Sequence, residues 1–260
     1  MIIDTHAHLN DKRYLDDLED VLNRSLAEGI VATIIPGADP RELEYAVELC
    51  QKHKELFFAV GVHPYDIEFY DREFLQKYIT HPKCVAVGEC GLDYFRLPKD
   101  EKEKQENILE QKRVFIDQIK LANQYNKPLI VHIREASHDS LEILKEYCNK
   151  DKGGVLHCFN ASPILLELVD YNFYYGIGGV VTFKNAKKLV EILPKIPIER
   201  ILFETDAPYL TPEPHRGERN EPAYTNFVAK KVSGILDIDT KSLENIVYEN
   251  SKRLFGDFSV

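Results

Sequence analysis

The chain lacks the features that mark a membrane protein, a secreted domain or a disulfide scaffold. No apolar run in its 260 residues approaches the roughly 20 needed to span a bilayer. The start, Met1-Ile2-Ile3-Asp4-Thr5-His6-Ala7-His8, carries no basic segment, and Asp4, His6 and His8 interrupt its apolar residues, so it is not expected to act as a secretion signal. The five cysteines, Cys50, Cys84, Cys90, Cys148 and Cys158, are odd in number and form no Cys-x-x-Cys pair, which points to free thiols in a reducing cytoplasm. Positive charge is in deficit too. A formal net charge of -10 argues against a protein that coats nucleic acid electrostatically, but it leaves room for an enzyme that grips a few phosphates in a local pocket. No Gly- or Ser-rich linker and no shift in composition divides the chain, so residues 1–260 are expected to form one domain.

What is present is an alternation. Short β-type runs at Ile2–His6, Val31–Ile35, Phe57–Val62, Val85–Glu89, Leu129–Ile133, Val155–His157, Tyr174–Ile177 and Ile201–Thr205 are separated by longer amphipathic stretches. Most of these runs are continuously apolar, as parallel strands covered on both sides must be. Helices are expected over Asn107–Ala122, Asp139–Tyr147, Ala186–Leu193, Tyr224–Ile235 and Ser242–Phe255. Eight β-then-α units fit a (β/α)8 TIM barrel. The alternative, a doubly wound open sheet, usually places a Gly-rich nucleotide turn after its first strand, and none is present.

A TIM barrel carries its site at the C-terminal ends of the strands, and here those ends are rich in metal-type ligands. The first run ends in His6 and His8, the fourth in Glu89, the fifth in His132, the sixth in His157 and the eighth leads to Asp206. One histidine after a strand is ordinarily a satisfied structural residue. Four histidines and two carboxylates at five strand ends of one barrel need compensation, which divalent cations supply. Six ligands exceed what one catalytic metal uses while keeping an open position. With one shared carboxylate they suit two metals about 3.5–4 Å apart. Imidazole and carboxylate donors without thiolate admit Zn, Mg, Mn, Co or Ni.

The segments Ile3-Asp4-Thr5-His6-Ala7-His8-Leu9, Gly61-Val62-His63-Pro64, Gly88-Glu89-Cys90-Gly91-Leu92-Asp93-Tyr94, Pro128-Leu129-Ile130-Val131-His132-Ile133-Arg134, His157-Cys158-Phe159, Glu204-Thr205-Asp206-Ala207-Pro208-Tyr209-Leu210 and Arg216-Gly217-Glu218-Arg219-Asn220-Glu221-Pro222 appear in the order of a known family. The chain resembles the TatD-family metal-dependent deoxyribonucleases, within the amidohydrolase-like hydrolases. Small departures, Cys90, Glu135 and Asn160-Ala161, remove no ligand. The resemblance implies that His6, His8 and Asp206 hold one metal, that His132 and His157 hold a second, and that Glu89 bridges them. It implies a hydrolase of phosphate esters in DNA, a 3′-to-5′ exonuclease acting on strand ends, with Glu89 and Asp206 as its catalytic carboxylates and Asp206 as proton acceptor. It also admits a D-aminoacyl-tRNA deacylase or another ester or amide hydrolase, because the same ligands serve either bond.

Around this set, Arg134, His63, Arg216 and Arg219 are candidate substrate contacts. Arg134 lies two residues past His132 and suits a phosphate. The segment 212–222 is expected as an ordered loop over the site, with one arginine for phosphate and one for structure. Asp4 and Glu204 precede His6 and Asp206 by two residues, hence share their inward face, either to orient ligands or as a buried polar layer. Tyr94, Phe95 and Tyr209 could stack a base or simply pack. Lys184, Lys187 and Lys188 read as a solvated helix face, and Cys90 and Cys158 as packing residues rather than nucleophiles.

Overall fold

A computed structural model describes residues 1–258. Eight parallel strands follow one another around a single sheet in chain order: β1 (Ile2–Asp4), β2 (Ile30–Ile35), β3 (Leu56–Val60), β4 (Cys84–Asp93), β5 (Leu129–Arg134), β6 (Gly154–Leu156), β7 (Phe173–Ile177) and β8 (Ile201–Phe203). The ring closes through the first and last strands. The Thr5 N–H donates to the Phe203 carbonyl at 3.1 Å and the His8 N–H to the Ala207 carbonyl at 2.7 Å. The architecture is the single-domain (β/α)8 barrel that the alternation predicts.

The helices are α1 (Leu18–Ala27), α2 (Leu43–Lys52), α3 (Arg72–Gln76), α4 (Glu101–Gln124), α5 (Ser137–Tyr147), α6 (Lys187–Ile192), α7 (Thr225–Leu236) and α8 (Thr240–Phe255). α4 begins six residues before the apolar stripe that announces it. Its first turn is all charge, and what starts the helix is the Asp100 carboxylate accepting from the Lys102 and Glu103 N–H groups. Between β6 and β7 the chain makes a 3-10 run, Pro163–Tyr171, in place of an α-helix. Among the described residues no helix is long and apolar enough to cross a membrane.

Alternation along each strand separates two apolar groups. Ile3, Ile34, Phe57, Ile130, Val155, Tyr174 and Leu202 fill the barrel, and Leu254 and Phe255 of α8 close its lower end. Ile2, Ile35, Phe58, Val131 and Phe203 turn outward against the helices. β4 departs from this regularity: its pairing with β5 shifts between Val87 and Cys90, and it runs four residues beyond the expected end at Glu89. Gly91 makes the close approach possible. At φ +145° its backbone lies so near β5 that a Cβ there would meet the His132 carbonyl at 2.0 Å. This places two β4 carboxylates, Glu89 and Asp93, on either side of His132.

Candidate metal centre

β1 ends at Asp4, and a bend follows at Thr5. His6 and His8 therefore lie just beyond the strand, yet they still project side by side, with their Nε2 atoms 3.3 Å apart. The bend breaks the period-of-two relation to Asp4. Ile3 faces the barrel interior, and Asp4 turns instead toward β8, where its carboxylate accepts from the Thr205 hydroxyl at 2.6 Å, the Thr205 N–H at 3.0 Å and the His6 N–H at 3.2 Å. Asp4 thus ties two ligand-bearing segments together by their backbones rather than orienting a ligand ring. Burial lifts its pKa to about 8, although those hydrogen bonds oppose the rise.

Glu89, almost fully buried, stands at the centre of the mouth. Its Oε1 lies 2.9 Å from His132 Nδ1, 3.7 Å from His63 Nε2 and 3.9 Å from His157 Nε2. Its Oε2 lies 3.2 Å from His6 Nε2 and 3.9 Å from His8 Nε2. The two oxygens of one carboxylate therefore address two separate groups of imidazoles. Asp206 Oδ1 adds the second acid, 3.4 Å from His8, 3.8 Å from His6 and 3.8 Å from His157. Burial alone would raise the pKa of both acids. The surrounding imidazoles reverse this, His6, His157 and His132 for Glu89 and His8 above all for Asp206, and hold both acids below the usual carboxylate range.

The outer nitrogens decide which lone pairs face inward. His132 has a carboxylate at each ring nitrogen: Glu89 at Nδ1, and Asp93 at Nε2 at 2.9 Å. A neutral imidazole has one N–H to give. If Nε2 donates to Asp93, the Nδ1 lone pair is left facing Glu89, an arrangement that a cation between them satisfies. His157 repeats the pattern, with Nδ1 3.1 Å from Glu204 Oε1 and Nε2 turned to the cluster. The carboxyl of Glu204 is seated against Gly176, where a Cβ would meet Oε2 at 2.3 Å. His6 Nδ1 and Glu204 Oε2 are buried without a hydrogen bond, and His157 Nδ1 meets Glu204 Oε1 as a close ion-pair contact outside hydrogen-bond geometry. The His6 and His157 rings stack at 3.4 Å, a poor arrangement for two protonated imidazoles. Five converging imidazoles and two central carboxylates, packed too closely for all the rings to be protonated, fit divalent cations by donor chemistry. The ligand-type side chains group as His6, His8 and Asp206, as His6, Glu89 and His157, and as His63, Asp93 and His132.

His63 differs from the others. The Tyr65 N–H donates to its Nδ1 at 3.1 Å, so its proton sits on Nε2, facing Glu89. Burial lowers its pKa to about 4, making it a neutral N–H donor at the mouth.

The comparisons with known proteins agree with this geometry. A family model described as TatD related DNase matches residues 3–256. The chain belongs to the TatD family. Its relatives in that family include the uncharacterized metal-dependent hydrolase YabD of Bacillus subtilis, 41% identical over 98% of this chain and 99% of that protein. The 3′-5′ ssDNA/RNA exonuclease TatD of Escherichia fergusonii is 32% identical over 98% of this chain and 99% of its own. The crystal structure of YJJV, a TatD homologue from Escherichia coli, superposes with a TM-score of 0.90 at 27% identity, covering 98% of each chain. This TatD-family chain is thus a metal-dependent hydrolase.

The mouth is a cavity of about 470 Å³. It brings together His8, His63, Glu89, His132, Arg134, His157, Asp206 and Tyr209, with Arg96 and Tyr65. It does not bring in Arg216 or Arg219. Arg219 is bound to Asp17 by two hydrogen bonds of 2.6 and 2.7 Å and stacks on Tyr14, while Arg216 lies over Phe183 at 3.9 Å. The segment 212–222 therefore buttresses the site rather than covering it: Asn220 donates to the Thr205 carbonyl at 2.9 Å, and the Tyr14 hydroxyl donates to the Asn220 carbonyl. Tyr94 is not a free ring either, since its hydroxyl donates to Asp139 at 2.7 Å.

Two contributors went unassigned in the sequence. Asp93 shares the face of Glu89 at i+4 along one strand, a signal that the sequence does contain. Arg96, stacked over Tyr65 at 5.1 Å, has no such signal, because only the β4–α4 connection brings it to the mouth.

Proposed function

We propose that this protein hydrolyses phosphodiester bonds in nucleic acid, trimming DNA from strand ends at a centre holding two divalent cations. The observation that carries the reading is Glu89, whose two oxygens face two imidazole groups across a buried mouth. In this reading His6, His8 and Asp206 would hold one cation, His132 and His157 would hold the other, and Glu89 would serve both. Bound divalent cations supply Lewis acidity toward a phosphoryl oxygen and make water acidic near neutral pH. The chain's own groups do the rest. Asp93 and Glu204 hold the rings of His132 and His157 in register from behind. Asp206, ionised and open to the mouth, accepts the proton of the attacking water at a carboxylate oxygen. The Nε2–H of His63 and the guanidiniums of Arg96 and Arg134 face a phosphate oxygen as donors. The mouth is a pit ringed by loops, which a free strand end enters more readily than an intact duplex.

The test is hydrolysis of end-labelled DNA, RNA and aminoacyl-tRNA by metal-loaded protein, with chelated protein as control. Stepwise loss of terminal nucleotides from a linear strand, with a circular strand of the same sequence spared, is the expected result. Rapid cutting of the circle rejects end entry, and release of aminoacyl groups alone reassigns the bond.

A further inference from the structure

The rim of the mouth is divided by charge. On the side of the β1, β2 and β3 loops it is lined by Asp11, Asp39, Glu42 and Asp66, of which Asp11 is paired with Arg13, and Asp39 and Asp66 share Arg41. On the side of β4 and β5 it is lined by Arg96 and Arg134, which make no ion pair among the described residues. A polyanionic strand whose terminal phosphate sits at the metal centre finds arginines already engaged by carboxylates on the first side and unengaged donors on the second.

Arg134 has a second role in this surface. It stacks over the exposed Phe95 at 3.6 Å, and it lines both the mouth and an adjoining groove of about 670 Å³. The groove runs between the start of α5, the loop after β6 and α6. Its far wall carries Lys188 and Lys195, seven residues apart along α6 and the turn that follows, hence on one face, while Leu189 and Ile192 of the same segment are buried. Both lysines are exposed and unpaired among the described residues, although Glu191 stands between them and Glu135 lines the opposite wall. Ser137, Asn160 and Ser162 add neutral polar groups. Three cationic groups thus lead away from the metal centre in one direction, on a chain that is acidic overall.

We propose that this groove is a second subsite, which binds the phosphates of the strand beyond the bond being cut, with Lys188 and Lys195 as its phosphate contacts and Arg134 as the hinge between the two sites. The proposal rests on the nucleic-acid reading above. It makes turnover depend on strand length: a dinucleotide fills the mouth, and a longer strand gains the groove.

The experiment compares wild type, the double variant Lys188→Ala/Lys195→Ala and Lys187→Ala, which alters the same helix outside the groove. Each is assayed on a dinucleotide and on a ten-nucleotide deoxythymidylate strand. Binding of the same strand with a non-hydrolysable phosphorothioate end is followed by fluorescence anisotropy in chelator. The double variant is expected to raise KM on the ten-nucleotide strand by about three- to thirtyfold, as two exposed ion pairs allow, and clearly more than on the dinucleotide. The log–log salt slope of binding is expected to shrink by about 1.4, at roughly 0.7 for each lost contact to a single strand. Lys187→Ala is expected to change neither. Equal losses on both lengths, equal losses from Lys187→Ala, or no loss at all while wild type still trims strands overturns the groove and leaves the activity standing. A wild type that neither trims nor binds any strand overturns the nucleic-acid reading and the groove with it.

Discussion

The interior of the barrel and its mouth are built by the same eight strands, yet they share almost no chemistry. Ile3, Ile34, Phe57, Ile130, Val155 and Leu202 fill the lower half with hydrocarbon. At or just past the ends of five of those strands the chain delivers His6, Glu89, His132, His157 and Asp206 to the mouth. The lower half excludes water and, among the described residues, its core of apolar side chains buries no unpaired side-chain polar atom. The upper half buries carboxylates and imidazoles with unsatisfied atoms among them, an arrangement whose cost is offset when cations bind. Stability and function are thus separated along the barrel axis, and substitutions in the two halves should fail in different ways.

The largest effect is expected at the centre of the mouth. Glu89→Gln keeps the shape and removes the charge facing both imidazole groups. Its kcat/KM should fall far beyond the 10–100-fold typical of residues behind a ligand, with an unchanged circular dichroism spectrum. A mild loss would mean that the carboxylate is not shared. Phe57→Ala is the counterpart in the lower half. Phe57 is fully buried and packs edge-on against Phe258 at 4.8 Å. Its truncation should cost about 3–5 kcal/mol in denaturant unfolding, while the protein that stays folded binds metal as before. Altered metal stoichiometry in the folded fraction would show the halves to be coupled.

Intermediate effects belong to the residues behind the ligands. Asp93→Asn and Glu204→Gln should each lower activity or metal affinity by about 10–100-fold, because each loosens one imidazole without removing a ligand. Had Asp93 only a packing role, Asp93→Asn would leave metal affinity unchanged, and calorimetric titration separates the two cases. The same titration carries a pH signature. Burial pushes His157 down, but the charges of Glu204 and Glu89 outweigh it and lift its pKa to about 10 in the metal-free protein. A cation needs the lone pair, so it must displace that proton below pH 10. Affinity should therefore rise with pH through the neutral range, by about tenfold per unit for each proton displaced. Titration in buffers of different ionisation enthalpy measures the release directly.

The smallest effect is expected from Arg219→Ala. Its partner Asp17 immediately precedes α1, neither residue lines the mouth, and the pair is partly exposed. The loss should be at most about 1 kcal/mol of stability, with kcat/KM unchanged.

These contrasts follow what the sequence made legible. Strand positions and the residues just past them could be read, because buried parallel strands are continuous apolar runs and a barrel places ligands where those runs stop. His6, His8, Glu89, His132, His157 and Asp206 converge for that reason. The orientation of Asp4 was not legible, because the bend at Thr5 breaks the alternation on which the inference depended. Which arginine of the 212–222 segment serves structure was not legible, because the partner of Arg219, Asp17, lies 202 residues away in the chain, and no local pattern announces such a pair. Lys188 reads as a solvated helix face in isolation. Only the packing of α6 beside the β5 and β6 loops turns that face toward a groove.

The central claim is that Glu89 stands between two cations. Anomalous diffraction from crystals grown with saturating Mn²⁺ tests it most directly. The account predicts two peaks, one among His6, His8 and Asp206 and one between His132 and His157, with Glu89 touching both. A single peak at His6, His8 and Asp206, with none beside His132 and His157, would contradict it.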